Sequence, residues 1–283
     1  MKFKLALLTC LLAVTCSATN AIAQNAQRPA AGRQVRVRYD VPTDPSLVPY
    51  QKFVQGNRIL EEFADMINAN FRMPSDLTVT AIQCGKINAF YSPQAKAIQL
   101  CYEFVRHFNN LHINDQRDET GKYDNAEVTK ALIGSIRFVM YHEVGHALVG
   151  ILDLPITGRE EDAVDQLATV VLLSSGDDDD VDAVFDGAYT HLLADDLREA
   201  NNAKMSPEQM KWREANPIEA DEHSLDKQRY FNTVCLAYGS DPKGFADLVT
   251  EGALPKARAD RCPWEWKQIS RSWERLLAPF AIQ

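Results

Sequence analysis

The chain has 283 residues, of which 46% are hydrophobic and 24% charged, and its formal net charge at pH 7 is −9. That hydrophobic fraction is ordinary for a globular protein, and the length suits one large domain or two lobes that share a core. An acidic chain without a basic stripe is a poor partner for nucleic acid or for an anionic membrane surface, so we expect neither.

Residues 1–23 have the pattern of an export signal. Lys2 and Lys4 form a positive end, residues 5–14 an apolar core, and residues 21–23 a small-residue cleavage site. The apolar core is shorter than the roughly 20 residues that a bilayer span needs, and no later stretch is apolar for long enough. We therefore predict an exported mature protein, periplasmic or secreted, with no membrane span.

Four cysteines remain after the predicted cleavage, which are Cys84, Cys101, Cys235 and Cys262. Four thiols in an oxidising compartment favour two disulfides, and three pairings are possible. We favour Cys84–Cys101 and Cys235–Cys262, because each pair is close in sequence. Two alternatives stay open: a zinc site, which would lack any C-x-x-C spacing, and four buried free thiols.

The N-terminal part of the mature chain reads as a leader followed by a helix and a small sheet. We predict a flexible leader over residues 24–46, with a possible strand at 35–39, and one helix over 48–71, ended by Pro74. Strand-like stretches follow at 77–84, 89–91 and 97–102, with a turn at 92–94.

Residues 131–151 read as a mostly apolar helix that carries His142, Glu143 and His146. Positions four apart lie one turn above each other on a helix, so the two imidazoles face the same point. Two histidine ligands beside a carboxylate that can take a proton from a metal-bound water are the arrangement of zinc proteases.

A second helix, predicted over residues 160–173, begins just after Pro155 and Gly158 break the first one. Its Glu161 and Asp165 are four apart and lie on one face. A catalytic zinc needs three protein ligands and an open position, so Glu161 is our third ligand, with Glu160 or Asp162 as replacements. Asp165 is predicted to accept the free N–H of a zinc-bound imidazole.

The segments HEVGH and EDAVD resemble the glutamate-ligand zinc peptidases, or gluzincins, which include thermolysin-like enzymes. The span from Cys84 to Pro242 is also similar to a bacterial metallopeptidase family. The resemblance implies an α+β, zincin-like fold, in which a small N-terminal sheet lies over the HExxH helix and the C-terminal lobe is mostly helical. It also implies that an edge strand of the sheet binds extended substrate, at residues 88–93 or 97–100, although an ordinary hairpin is an equal alternative.

The C-terminal half looks helical, with helices at 181–200, from Ser206, at 223–238 and at 262–277. The acidic run at 176–180 fits the solvated start of a helix better than a calcium loop. Residues 47–283 would then form a single metallopeptidase domain, with an α/β lobe to about residue 176 and a helical lobe over 177–283.

Enzymes of this clan stabilise the oxyanion with a His or Tyr from the C-terminal lobe, and His223 is our candidate. Asp221 or Asp226 would orient its ring, and Tyr230 and Arg229 are reserves; the alternative is a surface or capping histidine. The remaining histidines, His107, His112 and His191, have no partner at metal spacing. We take them as structural, with His191 as the first exception to test.

Together these patterns predict an exported peptidase that cleaves peptide or protein substrates with a zinc-activated water and with Glu143 as general base. Two other interpretations remain: a zinc-binding module without turnover, acting in binding or as a chaperone, and a metal-free protein with buried, hydrogen-bonded histidines.

Overall fold

The computed structural model describes residues 34–282, so the predicted signal and residues 24–33 of the predicted leader lie outside the described residues. The strands are Val35–Tyr39 (β1), Leu77–Ile82 (β2), Ala89–Ser92 (β3) and Ala97–Cys101 (β4). The helices are Val48–Gly56 (α1), Ile59–Asn70 (α2), Tyr102–Gln116 (α3), Asn125–Leu152 (α4), Glu160–Ser175 (α5), Asp178–Asn202 (α6), Pro207–Ala215 (α7), Asp226–Ser240 (α8), Asp247–Thr250 (α9), Lys256–Ala259 (α10) and Cys262–Leu277 (α11), with short 3-10 turns at Pro45–Leu47, Ile218–Ala220 and Ala278–Phe280. A small N-terminal sheet followed by a helical C-terminal part confirms the predicted α+β class.

The sheet has the strand order β1-β2-β4-β3. β2 pairs in parallel with both β1 and β4, whereas β3 pairs antiparallel with β4, with Tyr91 opposite Ile98. β3 is therefore an edge strand and β4 lies inside the sheet. The prediction of residues 97–100 as a substrate-binding edge is wrong, because β4 already has a strand partner on both sides.

Helix α4 is the centre of the molecule. Its N-terminus is capped by the Asp124 carboxylate, which accepts from the backbone N–H of Ala126 and Glu127, and it ends at Asp153 in the left-handed region. Buried side chains occur on all of its sides, as expected for a helix enclosed by other elements. The sheet, α3, α5 and α6 all pack against it.

The hydrophobic core is a cluster of buried side chains that extends from Val35 in β1 to Trp273 in α11. The backbone of Phe71 pairs with that of Ala281, which ties the end of α2 to the C-terminus. Within residues 34–282, no helix has both the length and the apolar character that crossing a membrane requires.

The prediction of one helix over residues 48–71 is wrong. The helix is interrupted between α1 and α2. There Arg58 adopts a left-handed conformation with φ 53°, and the Asn57 side chain donates to the carbonyl of Phe53. The apolar stripe continues across this break, since Val54 and Ile59 are both buried, so the hydrophobic period gave no sign of it.

Two disulfides have the pairing that the sequence favoured. Cys84–Cys101 joins the loop after β2 to the end of β4, and Cys235–Cys262 joins α8 to the start of α11. The first encloses the segment that forms β3, so the edge strand is held at both ends by one covalent loop.

Candidate metal centre

Helix α4 presents His142 and His146 on consecutive turns. Their rings are 4.8 Å apart between centroids, and the two Nε2 atoms approach to 3.2 Å. His142 is only 4% exposed, and His146 is partly buried. The i, i+4 spacing therefore brings two imidazole nitrogens to one point, as the helix period predicts.

Helix α5 brings Glu161 to the same point. Its Oε2 atom lies 3.1 Å from Nε2 of His142 and 3.2 Å from Nε2 of His146. The close approach of α5 depends on Gly145, because a Cβ atom built there would lie 2.7 Å from Cβ of Val164. A side chain at residue 145 would push the two helices, and with them the carboxylate and the imidazoles, apart.

A third imidazole, that of His223, approaches from the segment before α8. Its Nε2 atom is 3.0 Å from Oε2 of Glu161, and its ring stacks over that of His142 with centroids 6.2 Å apart. The ligand atoms of His142, Glu161 and His223 all lie within 4.8 Å of one another. The predicted helix start at residue 223 is wrong, since α8 begins at Asp226 and His223 lies in a loop.

Each of these imidazoles has a carboxylate on its other nitrogen. Nδ1 of His142 is 2.7 Å from Asp165, Nδ1 of His146 is 2.7 Å from Glu160, and Nδ1 of His223 is 3.1 Å from Asp221. A carboxylate on Nδ1 fixes the ring and turns the Nε2 lone pair toward the shared point. Asp165, Glu160 and Asp221 are therefore the outer partners of the three imidazoles, one for each ring.

Glu143 lies next to the cluster and is buried. One of its oxygens is 4.0 Å from Nε2 of His142, and the other accepts from the backbone N–H of Tyr91 in β3 at 2.8 Å. This hydrogen bond links the edge strand of the sheet to the central helix.

The cluster opens onto a cavity of about 730 Å³. One wall is the edge-strand segment, with Asn88, Ala89, Phe90, Tyr91 and Pro93, and the other walls carry His142, Glu143, His146, Gly150, Arg159, Glu160, Glu161, Glu222 and His223. A cavity of this size is in the range of small-molecule and peptide sites.

Residues 39–277 match the model of a protein family described as putative metallopeptidase. The chain belongs to this metallopeptidase family. No curated protein and no solved structure matches it.

The electrostatics of this candidate centre favour an ionised Glu161. Burial acts to raise the pKa of Glu161, but hydrogen bonds from His142, His146 and His223 hold that pKa far below its usual range. Burial also opposes the charged form of His142, yet the neighbouring carboxylates raise the pKa of His142 to about 9. The imidazoles therefore hold protons beside the Glu161 carboxylate. A metal ion binds the neutral imidazole, so it can replace these protons at the same point.

Asp165 and its partner Arg229 lie behind His142. Burial would raise the pKa of Asp165, but the Arg229 guanidinium and the His142 ring hold it well below its usual range. The guanidinium donates to both oxygens of Asp165, each at 2.8 Å. Arg229, the reserve candidate for stabilising the oxyanion, is instead bound to Asp165, and no sequence pattern predicts this pair.

The other predicted residues lie elsewhere. The Tyr230 hydroxyl donates to the carbonyl of Ala253, away from the cluster. Asp226 is paired with Arg198 at 2.6 Å, so Asp221 is the carboxylate that contacts His223. His112 is buried against Ser135 on α4.

Proposed function

We propose that the chain is a zinc peptidase of the gluzincin type, with His142, His146 and Glu161 as the metal ligands. One observation carries this proposal: the three donor atoms lie 3.1–3.2 Å from one another. In a tetrahedral zinc site with bonds of about 2.0–2.1 Å, neighbouring ligand atoms are about 3.3 Å apart. The carboxylates on the outer nitrogens of the imidazoles supply the further support that zinc-bound histidines have.

Bound zinc would lower the pKa of a coordinated water and polarise the carbonyl of the scissile bond. Glu143 would accept the proton from that water and pass it to the leaving amine. Burial raises the pKa of Glu143 against the effect of His142 and His146, and a base with a raised pKa is better able to take up a proton. The Tyr91 N–H fixes one oxygen of Glu143 and leaves the other toward the cluster.

Peptide substrates would bind along β3. The Tyr91 N–H points away from β4, and the backbone direction alternates along a strand, so the N–H and C=O of Ala89 face the cavity as well. An extended peptide could pair with them as an added strand. This arrangement would place the substrate backbone across the cluster.

His223 would stabilise the oxyanion as an imidazolium, in which Nε2 donates while Nδ1 is held by Asp221; the hydrogen bond to Glu161 raises the pKa of His223 and favours this charged form. We further propose that the enzyme acts outside the cytoplasm, on the basis of the signal-like residues 1–23 and the two disulfides. Residues 47–283 would act as one domain.

The test is Glu143→Gln, with Glu222→Gln as the matched control, because Glu222 lines the same cavity and is exposed. We expect Glu143→Gln to retain about one zinc per chain and to lose at least about 10²-fold in kcat on casein-derived peptides. Glu222→Gln should stay close to wild type, and a chelator should abolish cleavage by both active proteins. Wild-type rates from Glu143→Gln would show that the base is another residue.

The position of His223 favours a second candidate, a zinc module without turnover. If its Nε2 were a fourth protein ligand, the site would be closed, as structural zinc sites are. A wild-type protein with stoichiometric zinc that cleaves nothing in a proteome-derived peptide library would support this candidate.

A further inference from the structure

Gly150 lies on α4 one helical turn after His146, on the face that carries the two imidazoles. It lines the main cavity and is exposed, whereas residues 147–149 before it are buried. Apart from its chain neighbours and the helix backbone, a Cβ atom built at Gly150 would have two atoms of residues 34–282 within 4 Å. These are Cε1 of Tyr91 at 3.3 Å and the Tyr91 hydroxyl oxygen at 3.9 Å. The space over Gly150 is therefore bounded by the Tyr91 ring and is otherwise open to the cavity.

The local structure does not require a glycine at this position. Glycine disfavours a helix relative to alanine, and Gly150 is not among the glycines with positive φ. Gly145 is different, because a Cβ atom there would lie 2.7 Å from Cβ of Val164 in the neighbouring helix. A Cβ atom at residue 150 would displace one flexible side chain, that of Tyr91, by a few tenths of an ångström. The effect of the glycine is therefore to leave room, and that room belongs to the cavity.

The edge strand β3 runs along α4 past the cluster. Ala89 borders a smaller cavity together with Val139, which precedes the proposed ligands on α4, and the Tyr91 ring lies over Gly150, which follows them. Gly150 is four residues beyond His146, or about 6 Å along the helix. An extended peptide advances about 3.4 Å per residue and points alternate side chains to the same face. A peptide paired with β3 would therefore place over Gly150 the side chain two residues from the scissile bond.

We propose that Gly150 and Tyr91 form a specificity subsite that admits a large apolar side chain of the substrate, two residues from the scissile bond. This inference rests on the proposed peptidase function. The Tyr91 ring and Pro93 provide apolar surface for the side chain to cover, and the missing side chain at Gly150 provides depth.

The subsite selects size rather than charge. Apart from the cluster and the proposed base, the charged residues that line the cavity are Arg159, Glu160 and Glu222, and all three are exposed. Their charges are hydrated at the rim, where attraction to a charged substrate side chain is weak. At Gly150 the floor carries no side chain, and an apolar group that covers the Tyr91 ring removes apolar surface from water.

The first test uses peptides that carry phenylalanine, alanine, lysine or glutamate at the second residue before or after the scissile bond. We expect wild-type kcat/KM to favour phenylalanine over alanine by about tenfold at one of these two positions. Gly150→Leu should bring that ratio to about one, because its side chain occupies the opening, and Gly150→Ala should give an intermediate ratio. Gly56→Leu is the control, at a helical glycine outside the cavity where a Cβ atom meets nothing within 4 Å, and it should keep the wild-type ratio.

The ratio of the two rates separates a lost subsite from a damaged fold, since damage lowers both rates together and leaves their ratio unchanged. Both Gly150 variants should unfold at a urea concentration close to that of wild type, because leucine and alanine favour a helix over glycine. If Gly150→Leu is unstable, Gly150→Ala carries the test through its lower ratio. A wild-type ratio near one at both positions, a preference for lysine or glutamate, or an unchanged ratio in the folded variants overturns the proposal.

The second test measures binding without turnover. The phenylalanine and alanine peptides are titrated into zinc-loaded Glu143→Gln protein, and their Kd values are measured by isothermal titration calorimetry. We expect the phenylalanine peptide to bind about tenfold more tightly, and the difference to disappear when Gly150→Leu is added. Equal binding of the two peptides overturns the subsite. Wild-type protein that cleaves no peptide, while this binding preference persists, contradicts the proposed peptidase function instead.

Discussion

Asp165 is a buried carboxylate that lies between an imidazole and a guanidinium. It contacts Nδ1 of His142 on one side and receives two hydrogen bonds from Arg229 on the other. Both members of the ion pair are largely buried, with side-chain exposures of 11% for Asp165 and 14% for Arg229. The negative charge that orients His142 is therefore itself stabilised from the C-terminal half of the chain.

Replacing Arg229 with Met should destabilise the protein more than any change at an exposed arginine. The substitution leaves the Asp165 carboxylate buried without its cation, which typically costs about 3–5 kcal/mol. Urea unfolding of the metal-free protein measures this cost, with Arg261→Met as the control, because the Arg261 side chain is 74% exposed. A loss within about 0.5 kcal/mol of the control would mean that Asp165 does not depend on Arg229.

His223→Ala separates the two roles that its position allows. If the imidazole stabilises the oxyanion, kcat should fall by about 10²–10³-fold while zinc affinity stays near that of wild type. If it is a fourth ligand, zinc affinity should fall instead. A chelator competition assay and peptide kinetics on the same protein decide between them, with His107→Ala as the histidine control.

At the scale of residues, the sequence predicts the donors, with Asp165 and Asp221 among their outer partners, but not the contacts that hold Asp165 and Glu143 in place. His142, His146 and Glu161 follow from spacing along two helices, because a helix has a fixed period. The contacts of Asp165 with Arg229, and of Glu143 with the Tyr91 backbone, join residues that are 64 and 52 positions apart. No local period relates such positions, so these contacts need the tertiary fold.

At the scale of elements, the centre depends on how closely α5 packs against α4. Gly145 lies between the two imidazoles on α4, and Val164 lies opposite it on α5, between Glu161 and Asp165. The contact between helices is thus in the middle of the proposed ligand set. Any change in the separation of α4 and α5 at this point also changes the distance from Glu161 to both histidines.

Gly145→Ala should therefore weaken both stability and metal binding. The added Cβ would meet the Val164 side chain at 2.7–2.8 Å, and overpacking of this kind costs about 1–3 kcal/mol. Gly158→Ala is the matched control, since a Cβ there meets nothing within 4 Å. Zinc affinity by chelator competition should fall only in Gly145→Ala; equal affinities would mean that α5 adjusts without moving Glu161.

Helices with strong signals were predicted well, and the irregular connections were not. The predictions are correct for the start of α5 at Glu160 and for the whole of α11, Cys262–Leu277. Proline, acidic residues and a helical spacing of apolar residues indicate these helices. The break at Arg58 follows Gly56 and Asn57, which are typical of helix ends, and the acidic residues on both sides of His223 fit a helix start at Asp221 as well as at Asp226. In both places tertiary packing selects the backbone conformation.

At the scale of the whole molecule, three distant parts of the chain meet at one point. β3 contributes the edge strand, α4 and α5 the proposed ligands, and the segment from Asp221 to Arg229 the outer contacts. A buried cluster joins these parts. The Cys84–Cys101 disulfide closes the loop that carries β3, and the Cys235–Cys262 disulfide, in a second and smaller buried cluster, joins α8 to α11. Folding of the complete chain is thus a condition for the site, and its stability bears directly on function.

One carboxyl group away from the site works against that stability at neutral pH. Asp186 on α6 packs its carboxyl against Gly134 of α4. Burial, followed by the negative charge of Asp182, raises the pKa of Asp186 to about 7, while Lys130 lowers it and Glu127 adds to the rise. Arg137 and Asp179 line the same cleft between α4 and α6.

Asp186→Asn should stabilise the protein, and the gain should grow with pH. The folded state keeps the proton of Asp186 up to about pH 7, whereas the unfolded chain loses it near the ordinary aspartate pKa of 3.8. The stability that this group contributes therefore falls as pH rises between those values. The amide cannot ionise, and the gain over wild type should rise from near zero at pH 4 to on the order of 1–2 kcal/mol above pH 7, after allowance for solvent screening.

Urea unfolding of both proteins across this range measures the difference, in which contributions from other titrating groups cancel. Asp196→Asn, the same change at an exposed position of α6, is the control, and a gain that is independent of pH would show that Asp186 ionises as freely in the folded chain as in the unfolded one.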